Sequence, residues 1–156
     1  MSFNPRDPHF IRALVSNIEE GLVLTVGLLS GIAIAGLSHE TIVLVGMVFV
    51  FVGGIAAASR YKLAHMRIPE YAATSTTACI MLGLLYIVAG IVPLLPYMVL
   101  PVSSAFTSSI VCSFAAAFII GLWSGHQGNR VWKSAWHLAY VAAAGAIIGA
   151  IAHAML

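Results

Sequence analysis

Residues 16–37 read SNIEEGLVLTVGLLSGIAIAGL: two adjacent carboxylates, Glu19 and Glu20, then an uncharged run from Gly21 to Leu37. A run this long reads as the greater part of a membrane-crossing helix, which needs about 20 apolar residues. The rest of the chain has the same character. Hydrophobic residues make up 61% of its 156 positions and charged residues only 8%, with a mean hydropathy of +1.02. A soluble domain carries about 25% charged residues, so this chain cannot cover itself with polar surface. It reads as a multi-pass integral membrane protein whose surroundings are the lipid bilayer.

Five apolar runs predict five transmembrane helices, at about residues 11–37, 41–64, 72–97, 102–123 and 131–156, in one all-α domain spanning 1–156. Without water in the hydrocarbon core each span must satisfy its own backbone, which a helix does. The first run is long, carries two acids and lacks a short apolar stretch ending in a small-residue cleavage site, so it does not read as a removable signal peptide. Arg6 and Arg12 precede helix 1; Arg60, Lys62 and Arg67 follow helix 2; Arg130 and Lys133 lie between helices 4 and 5. All seven basic residues thus fall on one side, which the positive-inside rule makes cytoplasmic. The N-terminus is then inside and the C-terminus outside.

A net charge of +2 gives no reason to expect nucleic acid. Cys79 and Cys112 lie inside apolar runs and read as small core residues. Pro93, Pro96 and Pro101 read as ending helix 3, since proline cannot donate to the helical ladder. Gly27-x-x-x-Gly31 and Gly145-x-x-x-Gly149 have the spacing that lets helix backbones approach closely. Either pair serves packing within the bundle or a dimer seam, for which helix 1 is the better candidate.

Glu20 lies about ten residues into the expected helix 1, roughly 15 Å along it. A carboxylate inside a span costs about 3 kcal/mol at the centre and less near the interface. Adjacent helical residues point about 100° apart, so Glu19 and Glu20 cannot both face one partner. Two readings follow. Both acids reach the surface or pair with Arg12, Arg60 or Lys62; or at least one is a cation or proton site, as intramembrane acids facing a cavity are. His39 and Glu40, with His153 on the same side, form a weaker candidate, and His65, Met66, His126 and His137 weaker ones still. No nucleophile with its base and no phosphate-cradling loop is present in the sequence, so nothing argues for an enzyme or a tightly bound cofactor.

Four stretches resemble the vacuolar iron transporter family. Glu19-Glu20-Gly21-Leu22 followed by VLTVGLLSG is similar to that family's helix 1, which typically reads Asn-Asp-Gly-Leu before a Thr- and Gly-containing run. GIVPLLPY, residues 90–97, resembles its Gly-x-x-Pro-Leu-Leu-Pro-Tyr, with Pro69 matching the proline that precedes helix 3. FIIGLWSG (118–125) and AAAGAIIGAIAH (142–153) fit helices 4 and 5. The resemblance implies a five-span homodimer that exports Fe2+ or Mn2+ from the cytoplasm against protons, along a path at the dimer interface. The helix 1 acid maps onto Glu20, with Glu19 beside it, as metal-site residues. Carboxylate oxygens suit such divalent ions.

Two departures stand against that reading. The family's helix 2 ends in a Ser-Met-Ala-x-Gly-Glu-Tyr pattern whose Met and Glu help bind metal. Aligned on Tyr61, this chain reads IAAASRY, with Ala56 for the Met and Arg60 for the Glu. An arginine on the route would repel Fe2+ by a few kcal/mol at short range under an effective dielectric of ~20. The family's long acidic segment between helices 2 and 3 is also missing; the link is KLAHMRIPE (62–70), short and net basic. Three functions therefore stay open: a divalent-metal transporter, a non-transporting membrane subunit that packs against partner proteins, or a transporter of an anionic or zwitterionic substrate.

Overall fold

At Gly36 the backbone takes φ of 73°, a left-handed conformation that glycine adopts without steric cost. The Leu37 amide donates to the Ile32 carbonyl at 3.4 Å and the Gly36 amide to that of Ala33 at 3.2 Å. This pair of bonds is a Schellman cap. The first helix, α1 (Pro8–Ile34), therefore stops three residues short of the expected end at Leu37. Ser38 caps the next helix, α2 (His39–His65). Its hydroxyl accepts the Thr41 amide at 3.4 Å and shares a 2.8 Å hydrogen bond with the Thr41 hydroxyl. Glu40 in the first turn complements the positive end of the helix dipole.

The computed structural model describes residues 8–65 and 75–126, together with residues 140, 147 and 151. Two further helices follow, α3 (Ser75–Val99) and α4 (Val102–His126). All four described helices are long and apolar enough to cross a membrane, and no strand occurs among the described residues. The expected spans 41–64 and 102–123 lie within α2 and α4, and 75–97 of the third within α3. Most of the fifth expected span, 131–156, lies outside the described residues; Tyr140, Ile147 and Ile151 are helical and exposed.

The prolines require a correction. Pro93 and Pro96 lie inside α3, which runs on to Val99; only Pro101 sits at the break. A proline inside a span is tolerated where neighbouring helices and hydroxyls re-satisfy the backbone. The carbonyls that lose an amide donor to the two prolines are those of Ala89 and Val92; beside them the Ser109 hydroxyl of α4 donates to the Pro93 carbonyl at 2.7 Å. Pro101 begins α4 by offering its carbonyl to the amides of Ser104 and Ala105.

The helices alternate in direction. α1 and α3 form the middle of the bundle, with α2 and α4 on opposite sides. Three clusters fill it from end to end. Phe10, Ala78 and Leu82, with Tyr61, close the end that holds Arg12, Arg60 and Lys62. Leu22, Ala89 and Ala117 occupy the middle. Leu29, Ile42, Leu94, Tyr97 and Ala105 close the other end. Between α2 and α3 the backbones touch: a Cβ at Gly83 would lie 2.9 Å from the Gly54 carbonyl oxygen, and one at Gly54 equally near that of Gly83. Lipid offers helices no hydrophobic drive to associate, so close packing of this kind must hold them.

The outer surface inverts that of a soluble protein. Val52, Ile55, Leu84, Val88, Val111 and Ile119 are exposed, while Thr25, Ser30, Ser109 and Ser113 are buried. Cys79 is buried as expected, but Cys112 is exposed. The helical turn that buries Ser109 and Ser113 puts Cys112 on the outward side of α4.

Candidate functional site

Glu20 lies roughly 18 Å along α1 from Pro8 at 1.5 Å per residue. Because α2 runs antiparallel, its C-terminal turns pass the same level and bring Arg60 to Glu20 from forty positions away. Arg60 Nη2 stands 2.8 Å from Oε1 and 2.9 Å from Oε2 of the Glu20 carboxylate. The Arg60 side chain is 57% exposed and that of Glu20 32%, so neither is sealed inside the bundle, and both lie at the end where the basic residues gather. A pair this open is worth at most about 1 kcal/mol. Of the two acids the sequence offered Arg60 as partners, the structure gives it Glu20. Glu19, partly buried, points about 100° away around α1.

Beneath the pair stands Tyr86, which is fully buried and whose position the sequence reading passed over. Its ring fits against α2 because position 53 is glycine; a Cβ there would lie 2.7 Å from the Tyr86 hydroxyl oxygen. Its carbonyl oxygen would lie 2.8 Å from a Cβ at Gly21. Both glycines are thus needed for Tyr86 to lodge between α1 and α2. The available signal was a second tyrosine in the third apolar run, eleven positions before Tyr97 and on the same face of its helix.

The neighbouring polar groups are tied into their own helices. The Asn17 amide donates to the Ala13 carbonyl at 2.9 Å, and the Ser59 hydroxyl to that of Ile55 at 2.8 Å. Among the described residues no group of three or more His, Cys, Asp or Glu side chains stands close enough to hold a metal ion. His39 and Glu40 lie at the opposite end from Glu20; His153, His137 and Met66 are outside the described residues. The Thr25 and Tyr97 hydroxyls are buried without a hydrogen-bond partner among the described residues. On α1, a Cβ at Gly27 or Gly31 would meet nothing within 4 Å among the described residues, so that pair is not spent on packing against α2, α3 or α4.

Long helices that turn apolar side chains outward and hydroxyls inward define a multi-pass integral membrane protein. Within that class the sequence places it further. The model of the VIT family matches residues 55–155, and the chain belongs to that family. It is 36% identical over 64 residues to vacuolar iron transporter 1 of Arabidopsis thaliana, covering 40% of this chain and 26% of the relative. It is 40% identical over 75 residues to vacuolar iron transporter 2 of Oryza sativa subsp. japonica, covering 47% of this chain and 28% of the relative. The matched stretches thus span little more than a quarter of these relatives. The family match takes in Arg60, Tyr61, α3 and α4 but begins at Ile55, so Glu19 and Glu20 lie outside it.

Proposed function

We propose that this chain is a five-span transporter of divalent metal, Fe2+ or Mn2+, that carries the ion out of the cytoplasm through a path between two copies, with Glu20 as its principal ligand and Glu19 beside it. The N-terminus and the end bearing Arg12, Arg60 and Lys62 face the cytoplasm. One observation carries the reading: a half-exposed carboxylate stands well inside α1 of a VIT-family chain, with a cation already seated on it. The relatives are named as iron transporters, and a carboxylate can exchange a metal ion for a proton, which suits coupling to a proton gradient. The described residues of one copy do not gather three ligands, and a second copy would bring a second Glu20. Gly27 and Gly31, which meet no other helix among the described residues, would let the two copies approach.

A second reading, a non-transporting five-helix subunit that packs against partner proteins, is favoured by Arg60 itself, which engages both oxygens of Glu20. Expression in cells challenged with excess Mn2+ or Fe2+ separates the two. The transporter lowers cytoplasmic metal and restores growth, and Glu20→Gln does neither. Equal growth with wild type, Glu20→Gln and empty vector would leave the subunit reading.

A further inference from the structure

We infer that Arg60 is a tethered competitor for the cation at Glu20, and that its guanidinium sets the charge an ion must carry to bind there. The inference rests on the transport reading and goes beyond it, since it assigns the residue that departs from the family pattern a part in selecting the ion.

One guanidinium nitrogen lies within hydrogen-bond distance of both Glu20 oxygens, at 2.8 and 2.9 Å. A metal ion takes carboxylate oxygens at about 2.0–2.6 Å, and one held by both Glu20 oxygens would sit where the Arg60 nitrogen now bridges them. Ion and guanidinium therefore exclude one another. Arginine remains charged at any relevant pH, so it cannot yield by losing a proton; it must swing away. The geometry allows this. Arg60 stands five residues before the end of α2 at His65, more than half exposed, where a long side chain can reach toward the membrane surface. Glu20 is the less exposed partner and stays in place on α1.

Displacement then depends on the incoming charge. A monovalent ion offers the carboxylate no more charge than the guanidinium does, makes no directed hydrogen bonds, and must shed water. A divalent ion doubles the attraction at the same distance. A pair as exposed as this one resists with only about a fivefold preference, enough to put K+ at a disadvantage and small enough for a divalent ion to overcome. The positive charge that stands against a metal site in the sequence becomes a filter.

The test is Mn2+ titration of the purified protein in lipid nanodiscs, followed by the electron paramagnetic resonance signal of unbound Mn2+. Wild type is compared with Arg60→Gln, Arg60→Ala and Glu20→Gln, in KCl and in N-methylglucamine chloride of equal ionic strength. Both neutral Arg60 variants are expected to bind Mn2+ about fivefold more tightly than wild type. K+ should weaken their binding and leave the wild type unaffected, and Glu20→Gln should lose the site. Wild-type affinity in the Arg60 variants, with loss in Glu20→Gln, would overturn the inference and leave the transport reading standing. No Mn2+ binding to wild type or either Arg60 variant would overturn both. Failure of both neutral variants to fold would make Arg60 a structural tie between α1 and α2, and would overturn the inference as well.

Discussion

At the scale of the residue, Glu20 and Arg60 matter for chemistry more than for stability. Their pair is exposed at the end of the bundle where the basic residues gather and is worth at most about 1 kcal/mol, so Glu20→Gln should shift the unfolding free energy by no more than that. Thermal unfolding in detergent checks this; a loss of several kcal/mol would make the pair a structural tie. The meeting of these two residues was half legible in the sequence. Unlike charges on the side that the basic residues mark as one face were bound to be neighbours of some kind. The choice between Glu19 and Glu20 depended on the rotation of α1 against α2, which no local pattern encodes. Tyr86 was illegible for a related reason: it fits only because Gly53, thirty-three positions earlier, leaves room for its ring.

At the scale of the element, helix α3 shows where a local rule gives way to its surroundings. Two prolines three residues apart would end an isolated helix in water, where unwound backbone is solvated. In lipid, unwinding exposes polar groups with no solvent to take them, so the helix continues and α4 lends a hydroxyl. Ser109→Ala removes that donor from the Pro93 carbonyl and should lower stability by about 0.6 kcal/mol, and by no more than about 1.7 kcal/mol. Unfolding measured in mixed micelles, with the exposed Ser104→Ala as control, would show it. Equal effects of the two substitutions would mean that the hydrogen bond contributes nothing. The spans themselves were readable because hydrophobic length alone sets them, whereas their ends depended on caps such as Gly36.

At the scale of the whole molecule, the account turns on a second copy. Glycine costs a helix about 1 kcal/mol relative to alanine, and Gly27 and Gly31 gain nothing in return among the described residues. A neighbouring helix from another copy would supply the contact. Gly31→Leu should therefore leave the chain folded but convert a dimer to a monomer, as read by light scattering in detergent. A dimer that survives the substitution would place the seam elsewhere. A chain that no longer folds would assign the glycine to packing within one copy. The fifth expected helix and the membrane orientation rest on the apolar run 131–156 and on the one-sided distribution of basic residues.

The central claim, that Glu20 lies on a metal path, is tested most directly by Mn2+ flux in proteoliposomes under an imposed pH gradient, with wild type beside Glu20→Gln. The account predicts flux in the wild type that the gradient drives, and none in the variant although it remains folded. Equal flux in both would remove Glu20 from the path, and no flux from well-folded wild type would contradict metal transport by this chain.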